Sequence, residues 1–384
     1  MKNRFNFCLY CLVGAMLLSG CVFDLSPDGN QFVLWTKNSE KLEIRQADGT
    51  NPQSIPEGER GSYPAWSPDG KHILFRKSVP DNTVYLYDVV EKTTRKITDN
   101  LGFPTFFFWR DDSEQFIAIH NQKKIAGKRK RSFEQLVWRQ LSDKKIVRRL
   151  ELPNRYALSI NQTLQWIPGT QEVAFIWEDA SERKLNLCVT QGKIIRTLTT
   201  TGDVISFGIS QDKTELIWAR RPQVGKPLSL TLFAQNLKKS SVRRLPFIAR
   251  PSLPLADTER GGHSEATITF SPDGKQLALV ETFPVITKRP VKNPQQYTAC
   301  YLMDIDGANA REIYRTQPMK TPLDSEEKRW VFSPWLIPLW TRDGKKLALM
   351  CIDSGRSHRE LAMFQGDGSA PKSVISDKAT TTKN

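Results

Sequence analysis

The sequence of 384 residues predicts an all-β fold, a seven-bladed β-propeller of four-stranded antiparallel blades. The first observation is the turn Ser-Pro-Asp-Gly, which begins at Ser26, Ser67 and Ser271. The second is that each copy follows a short apolar run and precedes an alternating one, as a turn between two strands does. The third is that no stretch of the chain requires a helical domain. Together these observations indicate a repeat protein made of strands.

Four diverged copies of the turn complete the repeat. Their segments are Trp109-Arg110-Asp111-Asp112, Trp166-Ile167-Pro168-Gly169, Ile209-Ser210-Gln211-Asp212 and Trp340-Thr341-Arg342-Asp343-Gly344. The first residues of the seven turns lie 41, 43, 57, 43, 61 and 70 positions apart. The shortest of these spacings matches one four-stranded propeller blade. Seven blades are therefore predicted from residue 22 to about residue 376.

Each copy begins with an inner strand that enters the turn and continues as a second strand. In the second copy these strands are Tyr63-Pro64-Ala65-Trp66 and His72-Ile73-Leu74-Phe75. Within the turn the serine caps, the proline presets φ, the aspartate accepts hydrogen bonds from the backbone and the glycine takes a positive φ. The second strands are too short, and too rich in branched and aromatic residues, to be helices.

A hairpin completes each module. Val84-Tyr85-Leu86-Tyr87-Asp88 is a typical outward strand. The return strand carries a basic residue just before an apolar one, as in Arg95-Lys96-Ile97-Thr98. Asp-Gly pairs that begin at Asp48, Asp306 and Asp367 supply hairpin turns. The sequence thus predicts seven modules of four strands each.

These paired segments resemble the TolB-type β-propeller repeat. The resemblance is best seen in Pro64 to Phe75 with Leu86 to Thr98, and in Ile268 to Leu279 with Tyr301 to Ile313. It implies the propeller fold, which also occurs in peptidase gating domains and polysaccharide enzymes, so it does not fix a function. TolB carries a small α/β domain before its propeller, for which the residues before the first repeat leave no room. A prolyl peptidase would need a hydrolase domain with a G-x-S-x-G motif, which this sequence lacks.

The N-terminus, residues 1–20, resembles a bacterial lipoprotein signal peptide. Lys2 and Arg4 precede an apolar run, and Leu18-Ser19-Gly20-Cys21 follows it. Such a signal is cleaved before a cysteine that receives diacylglycerol, so Cys21 is the predicted lipidation site. An ordinary secretory signal and a short anchor helix are the alternatives, although the apolar run is short for a bilayer span. The resemblance implies a lipid-anchored, periplasm-facing protein of the bacterial cell envelope, and Val22 favours the outer membrane.

The rest of the chain is predicted to be one propeller, residues 21–376, and a disordered tail, residues 377–384, which is short and polar. Cys188, Cys300 and Cys351 fall in predicted strands. Because their number is odd and no framework of spacings is present, they are predicted to be buried free thiols. A disulfide between Cys300 and Cys351 stays open as the alternative.

The charge of the chain predicts an acidic partner. The formal net charge is +15, or +13 once Lys2 and Arg4 have been removed with the signal peptide. The densest basic run, residues 123–131, would suggest nucleic acid in a cytosolic protein, and the predicted export excludes that reading. The remaining candidates are an anionic lipid, an anionic glycan and an envelope protein. A solvated loop without a ligand is the alternative.

Long loops are predicted on one face of the propeller. In an up-and-down blade both tight turns leave one face, whereas the second-to-third-strand loops and the blade connections leave the other. The predicted long loops of that second face are 120–135, 152–162, 246–266, 282–297 and 316–338. Long loops on a rigid scaffold commonly carry binding sites. The predicted binding residues on this face are Arg129, Lys130, Arg131, Lys288, Arg289, Trp330 and Trp335. Packing of the tryptophans over a blade is the alternative.

The anchor is predicted to orient this face. Val22-Phe23-Asp24-Leu25 matches the inner strand of the first blade, so a lipid on Cys21 would hold the long-loop face toward the bilayer. The basic residues would then meet anionic headgroups. The alternative is an incomplete first blade whose first residues serve as a flexible leash.

Catalytic, metal and cofactor sites are not predicted. The four histidines show no metal-ligand spacing, and Asp304-x-Asp306-Gly307 is better explained as a hairpin turn than as a calcium loop. Glu259 and His263, on one predicted long loop, are the candidate acid–base pair of a lyase. The predicted starts of the inner strands carry no convergent acidic or basic residues: Tyr63, Thr105, Thr163, Val204, Thr267 and Ile337. The sequence therefore favours a binding scaffold. The alternative is an envelope polysaccharide lyase or hydrolase on a propeller scaffold.

Overall fold

The computed structural model describes residues 23–36, 41–59, 61–77, 83–98, 106–126, 129–152, 164–179, 184–210, 212, 214–220, 230–237, 239, 241–247, 266–285, 295–316, 319–320, 335–352, 358–369 and 372–378. These residues form an all-β protein, a seven-bladed β-propeller of four-stranded antiparallel blades, which confirms the predicted fold class. The chain divides into two compact units, of which the first ends at Leu198 and the second begins at Thr199. Four sheets lie in the first unit and three in the second.

The first unit contains sheets 1 to 4, each built from four strands that are consecutive in the chain. Sheet 1 comprises β1 (Phe23–Leu25), β2 (Gln31–Thr36), β3 (Lys41–Gln46) and β4 (Gln53–Glu59). Sheet 2 comprises β5 (Gly61–Trp66), β6 (His72–Lys77), β7 (Thr83–Asp88) and β8 (Thr93–Thr98). Sheet 3 comprises β9 (Phe107–Trp109), β10 (Gln115–Ala126), β11 (Arg129–Gln140) and β12 (Ile146–Glu151). Sheet 4 comprises β13 (Leu164–Trp166), β14 (Val173–Asp179), β15 (Lys184–Gln191) and β16 (Ile194–Thr197).

The second unit contains sheets 5 to 7 and follows the same order. Sheet 5 comprises β17 (Val204–Ile209), β18 (Glu215–Arg220), β19 (Thr231–Asn236) and β20 (Val242–Arg244). Sheet 6 comprises β21 (Ala266–Phe270), β22 (Gln276–Val285), β23 (Gln295–Asp304) and β24 (Arg311–Arg315), and a short β25 (Met319–Lys320) also pairs with β23. Sheet 7 comprises β26 (Trp335–Trp340), β27 (Lys346–Ile352), β28 (His358–Gln365) and β29 (Lys372–Lys378).

The turn between the first and second strands has the predicted hydrogen bonds. In sheet 1, Ser26 Oγ donates to Asp28 Oδ1 over 2.6 Å and accepts from the Gln31 backbone N–H over 2.9 Å. Asp28 Oδ1 also accepts from the Asn30 N–H, and Gly29 takes a φ of 66°. In sheet 3, Ser113 replaces the glycine and takes a φ of 61°, which is unfavourable for a residue with a Cβ. The same hydroxyl-to-aspartate bond is present at Ser67, Ser210, Ser271 and Thr341.

The two tight turns of a sheet lie at the same edge, here called the turn edge. In sheet 2, the Val89 N–H at the start of the second turn donates to the Lys71 carbonyl in the first turn over 2.9 Å. Sheet 6 repeats this bond from Ile305 to Lys275 over 3.0 Å. The opposite end of each sheet, where the second strand ends and the third begins, is called the loop edge.

The core lies between neighbouring sheets of each unit, because alternate residues of a strand face opposite sides. In β6, Ile73 and Phe75 pack toward sheet 1, whereas Leu74 packs toward sheet 3 with Phe116 of β10. In β22, Leu279 packs toward sheet 5 and Ala278 toward sheet 7. Burying one large apolar side chain contributes about 2 kcal/mol, so these layers are a major source of stability.

Hydrogen bonds also join the innermost strands of neighbouring sheets. Asp24 Oδ2 accepts from the Trp66 N–H over 2.7 Å, and Trp109 Nε1 donates to the Ala65 carbonyl over 3.0 Å. In the second unit the Ile268 N–H donates to Ser206 Oγ over 3.1 Å. These bonds fix the register of adjacent innermost strands.

Two predicted long loops contain strand residues, so their predicted bounds were wrong. The segment predicted as loop 120–135 is a hairpin in which β10 runs to Ala126 and β11 starts at Arg129. The segment predicted as loop 282–297 contains the end of β22, up to Val285, and the start of β23, from Gln295. The polar, basic sequence of 121–134 lacks an apolar face and therefore reads as a loop. A two-stranded ribbon satisfies its backbone internally and needs no such face.

The structure tests some of the other predictions, whereas others concern residues that it does not describe. Cys188 and Cys300 are buried free thiols as predicted, so Cys300 is not in a disulfide. Strand β29 continues through Lys378, two residues past the predicted propeller boundary at 376.

Residues 1–22 and 379–384, which include the predicted signal peptide, Cys21 and most of the tail, lie outside the described residues. In the part of the chain that the structure describes, no helix has the length and hydrophobicity needed to cross a bilayer.

Candidate functional site at the loop edge

Four residues with a charged or imidazole side chain occupy the same position of the repeat, at the loop end of the second strand. Lys77, His120, Arg220 and Glu281 each follow the first residue of their turn by ten positions. His120 shares a face of β10 with Phe116 and Ala118, which belong to the core between sheets 2 and 3. The other residues on this face of β10 are therefore apolar, whereas His120 is not. We call these four the loop-edge polar residues.

Glu281 is the most deeply buried of the four, with an exposed fraction of 0%. It pairs across the sheet with Ala266 on one side and Ala299 on the other, and these small residues leave room for its side chain. The Leu230 N–H donates to Glu281 Oε1 over 3.4 Å, whereas Oε2 has no hydrogen-bond partner. Burial raises the pKa of Glu281 to about 8, against the lowering effect of the Leu230 hydrogen bond. The carboxyl is therefore mostly protonated at neutral pH.

The surroundings of Glu281 are aromatic. Phe283 stacks on Tyr297 with ring centroids 5.1 Å apart, and Tyr301 meets Phe247 edge to face at 5.7 Å. The Tyr301 hydroxyl is buried without a hydrogen-bond partner. Burial raises the pKa of Tyr301, and the nearby Glu312 and Glu281 carboxyls raise it further. A carboxyl and a phenol thus sit in an apolar layer in their neutral forms.

His120 is the corresponding residue of sheet 3 and is 4% exposed. It pairs with the buried Gln135 of β11, whose Oε1 accepts from Arg149 Nη1 over 3.5 Å. His120 Nε2 is buried without a partner. Burial lowers the pKa of His120 to about 3, and the charges of Arg139 and Arg149 lower it further. The imidazole is therefore neutral at neutral pH.

Lys77 and Arg220 have carboxylate partners of their own. Lys77 Nζ contacts Glu57 Oε2 of the neighbouring β4 at 2.6 Å, and the hydrogen bond from Lys77 to Glu57 raises the pKa of Lys77. Arg220 Nη2 contacts Asp203 Oδ2 at 2.7 Å. These contacts hold both cations in place, so they serve the structure.

The turn edges carry ionised aspartates. At Asp28, Asp69 and Asp112 burial acts to raise the pKa, but the hydrogen bonds that each carboxylate accepts outweigh it, so the pKa is lowered. At Asp273 and Asp343 the hydrogen bonds from Ser271 and Thr341 are the largest cause of a lowered pKa. These aspartates are therefore ionised, and two of them contact a basic neighbour: Asp112 contacts Arg110 and Asp343 contacts Lys345.

The loop edge of sheet 3 carries the opposite charge. Strand β9 pairs with β10 only at residues 116–118, and β12 pairs with β11 only at residues 135–139. Residues 121–126 and 129–134 pair with each other and extend beyond the four-stranded part of the sheet, with Lys124 opposite Arg131. Residues 121–126 and 129–134, which we call the basic ribbon, contain five lysines and arginines and one glutamate. The ribbon therefore carries a net positive charge.

The structure brings together only some of the residues predicted to bind. Arg129, Lys130 and Arg131 are adjacent in β11, and Trp335 is the first residue of β26. Lys288, Arg289 and Trp330, like Glu259 and His263, lie outside the described residues. Among the side chains that the structure describes, no three metal-ligating groups come together.

Sequence reasoning missed the loop-edge polar residues. Aligning the seven copies on the first residue of the turn and reading ten positions further would have found all four. A charged residue or a histidine at a position that otherwise faces the core is the signal.

No protein-family model matches the chain, and no curated protein matches its sequence. Solved structures do match. An oligogalacturonate lyase from Vibrio parahaemolyticus aligns with a TM-score of 0.59 at 11% identity, over 88% of this chain and 87% of that chain. The β-propeller domain of the Trilobed protease from Pyrococcus furiosus aligns with a TM-score of 0.55 at 12% identity, over 90% and 94% of the two chains. TolB from Acinetobacter baumannii aligns with a TM-score of 0.43 at 17% identity over 76% of this chain, which spans 64% of the TolB chain. At these identities the first two similarities establish the fold alone.

Proposed function

We propose that this protein is a lipid-anchored binding scaffold of the bacterial cell envelope, which meets an anionic membrane surface through its loop edges. The observation that carries the proposal is the uneven distribution of basic residues within one sheet. In sheet 3 the basic ribbon extends from one end, whereas acidic and basic residues are mixed at the turn edge, where Asp112 contacts Arg110. An anionic surface attracts the ribbon more strongly than the turn edge, which orients the sheet.

The proposed anchor supports the same orientation. Strand β1 begins at Phe23 and runs toward the turn at Ser26, so Phe23 lies at the loop edge of sheet 1. Cys21 precedes Phe23 by two residues, which span at most about 7 Å. A diacylglycerol on Cys21 would therefore hold this loop edge close to the bilayer.

The energetics of the ribbon suit a reversible contact. Each lysine or arginine close to an anionic surface contributes about 1 kcal/mol, and added salt screens this attraction. The ribbon has an excess of basic residues, so it adds to the affinity for an anionic membrane that a lipid anchor provides. A diacylglycerol anchor and a basic patch together give two independent membrane signals.

Vesicle flotation tests the proposal with a soluble form that lacks residues 1–21. At low salt this form should float with phosphatidylserine vesicles and remain behind with phosphatidylcholine vesicles. Charge reversal at Arg129, Lys130 and Arg131 should reduce the bound fraction more than tenfold, because about 1 kcal/mol is lost at each position. The control reverses three exposed lysines of the turn edges: Lys71, Lys275 and Lys345.

Two results would contradict the membrane-facing arrangement. One is a soluble form that ignores phosphatidylserine vesicles even at low salt. The other is a control variant that loses as much binding as the ribbon variant. Either result would leave an envelope protein or an anionic glycan as the partner of the ribbon.

An enzyme on the same scaffold, a lyase or hydrolase of envelope polysaccharide, is the second candidate. Its support is the strongly shifted pKa of two titratable groups at loop edges, His120 and Glu281, since such shifts are common at catalytic sites. Both side chains are closed off from solvent, which favours the scaffold. Incubation with polygalacturonate tests the lyase: unsaturated product that disappears in Glu281→Gln would support an enzyme.

A further inference from the structure

Exposed arginines occur on the outermost strands of three successive sheets in the first unit. Arg95 lies on β8, Arg149 on β12 and Arg196 on β16, and all three are exposed. In the described residues none of the three has a carboxylate within ion-pair distance, whereas Arg148 on β12 does contact Glu172, at 3.2 Å. We call Arg95, Arg149 and Arg196 the outer-strand arginines.

Protection of a sheet edge does not account for their common sign. An exposed edge strand is guarded against pairing with other chains by charge of either sign, most often by lysine. Sheet 1 shows that an acidic edge is possible here, because its outermost strand β4 carries Glu57 and Glu59 and no basic residue. By contrast, β8, β12 and β16 together carry five basic residues and one acidic residue, Glu151. The excess of basic residues indicates a ligand of opposite charge.

The chemistry of these strands narrows the ligand. Guanidinium groups bind carboxylates through two parallel hydrogen bonds, so arginine suits a carboxylate-bearing partner. Strands β8, β12 and β16 contain no aromatic residue on which a nucleobase would stack. Exposed Thr93, two residues before Arg95 on the same face of β8, instead offers a hydroxyl group, which suits hydroxyl-rich ligands.

We propose that the outer-strand arginines form a site for a linear acidic glycan that lies across the outermost strands of sheets 2 to 4. One guanidinium on each sheet engages one carboxylate of the polymer, and the Thr93 hydroxyl bonds a sugar hydroxyl. This site is separate from the basic ribbon and does not depend on the membrane contact proposed above.

Binding of alginate, a linear polyuronate, to the full-length chain in neutral detergent tests the proposal. The wild type should bind alginate at low salt and ignore neutral dextran. The triple variant Arg95→Gln, Arg149→Gln, Arg196→Gln should raise the Kd for alginate about tenfold, as expected for three exposed ionic contacts. The control replaces one exposed turn-edge lysine on each of the same sheets, Lys71, Lys145 and Lys193, by glutamine. It removes equal charge and should change the Kd less than twofold.

Other arms of the experiment separate the competing explanations. Arg149 also contacts the buried Gln135, so the double variant Arg95→Gln, Arg196→Gln repeats the test without disturbing the core. Charge reversal of the basic ribbon should leave alginate binding unchanged. The proposal is overturned if the wild type does not bind alginate, if the lysine control weakens binding as much as the arginine variants, if ribbon reversal abolishes binding, or if duplex DNA binds more tightly than alginate.

Discussion

Replacing Glu281 by glutamine should stabilise the protein at neutral pH. The side chain is fully buried, its only hydrogen bond within the described part of the chain is the 3.4 Å contact from the Leu230 N–H, and burial raises its pKa from 4.5 to about 8. An unfolded chain at pH 7 has this carboxylate ionised, so folding must take up a proton. Lifting the carboxyl from its unfolded pKa to pH 7 costs about 3 kcal/mol. Glutamine keeps the shape of the side chain and removes that cost.

The sign of the effect sets its pH dependence. Because the folded pKa is raised, the contribution of Glu281 to stability is fully present below about pH 4.5 and is lost as the pH rises through about 8. The variant and the wild type should therefore be equally stable near pH 4.5. Their difference should grow to about 3 kcal/mol at pH 7 and level off near 5 kcal/mol above pH 8. The protonated carboxyl and the amide both leave a polar group without a partner, so that penalty cancels.

Urea denaturation between pH 4.5 and pH 9 measures this difference. The control is Glu91→Gln, an exposed residue in the second turn of sheet 2, which should leave the midpoint unchanged at every pH. A Glu281→Gln variant that is less stable than the wild type at pH 7 would refute the reasoning. So would a difference that does not vary with pH, because both results would mean that the folded carboxylate is ionised and paired.

Three further outcomes are expected. His120→Gln should shift acid unfolding to lower pH. Burial lowers the folded pKa of His120 to about 3, so the stability that is fully present above pH 6.5 is lost as the pH falls from 6.5 through about 3, and glutamine does not take up this proton. Fluorescence-monitored acid titration measures the shift, and an unchanged midpoint would contradict the reasoning. Ser67→Ala should cost about 1 to 2 kcal/mol in urea unfolding, since the buried hydroxyl bonds both Asp69 and the His72 N–H, and a cost near zero would show that the turn closes without it. Cys21→Ser should keep its signal peptide and take up no labelled fatty acid, whereas unchanged labelling would show that Cys21 is not the modified residue.

The fold could be predicted because its information is local. A Ser-Pro-Asp-Gly turn requires a hydroxyl, a preset φ, an acceptor and a positive φ within four residues, and any chain segment with these residues closes in the same way. Even the diverged copy at Arg110 keeps the turn, with Ser113 at positive φ. Turn spacing then fixes the number of sheets.

The candidate site could not be predicted in the same way because it depends on contacts between elements. Nothing near Glu281 in sequence shows that Ala266 and Ala299 flank it or that Leu230 approaches it from sheet 5. The sequence of the basic ribbon predicts a loop because it lacks the regular alternation of polar and apolar residues that is typical of a strand. Its two strands are instead defined by the register in which they pair. The ion pair between Arg148 and Glu172 and the exposure of the adjacent Arg149 are likewise visible only in three dimensions.

The consecutive order of strands within every described sheet has a consequence for biosynthesis. Sheet 1 closes with β4 at Glu59, and sheet 2 closes with β8 at Thr98, so neither requires a strand from the far end of the chain. Contacts between residues that are close in sequence form fastest, because little loop entropy opposes them. Each sheet can therefore form as soon as its last strand has emerged from a ribosome or an export channel. Vectorial folding of this kind leaves few unpaired strand edges exposed at any moment, and so limits aggregation before the chain is complete.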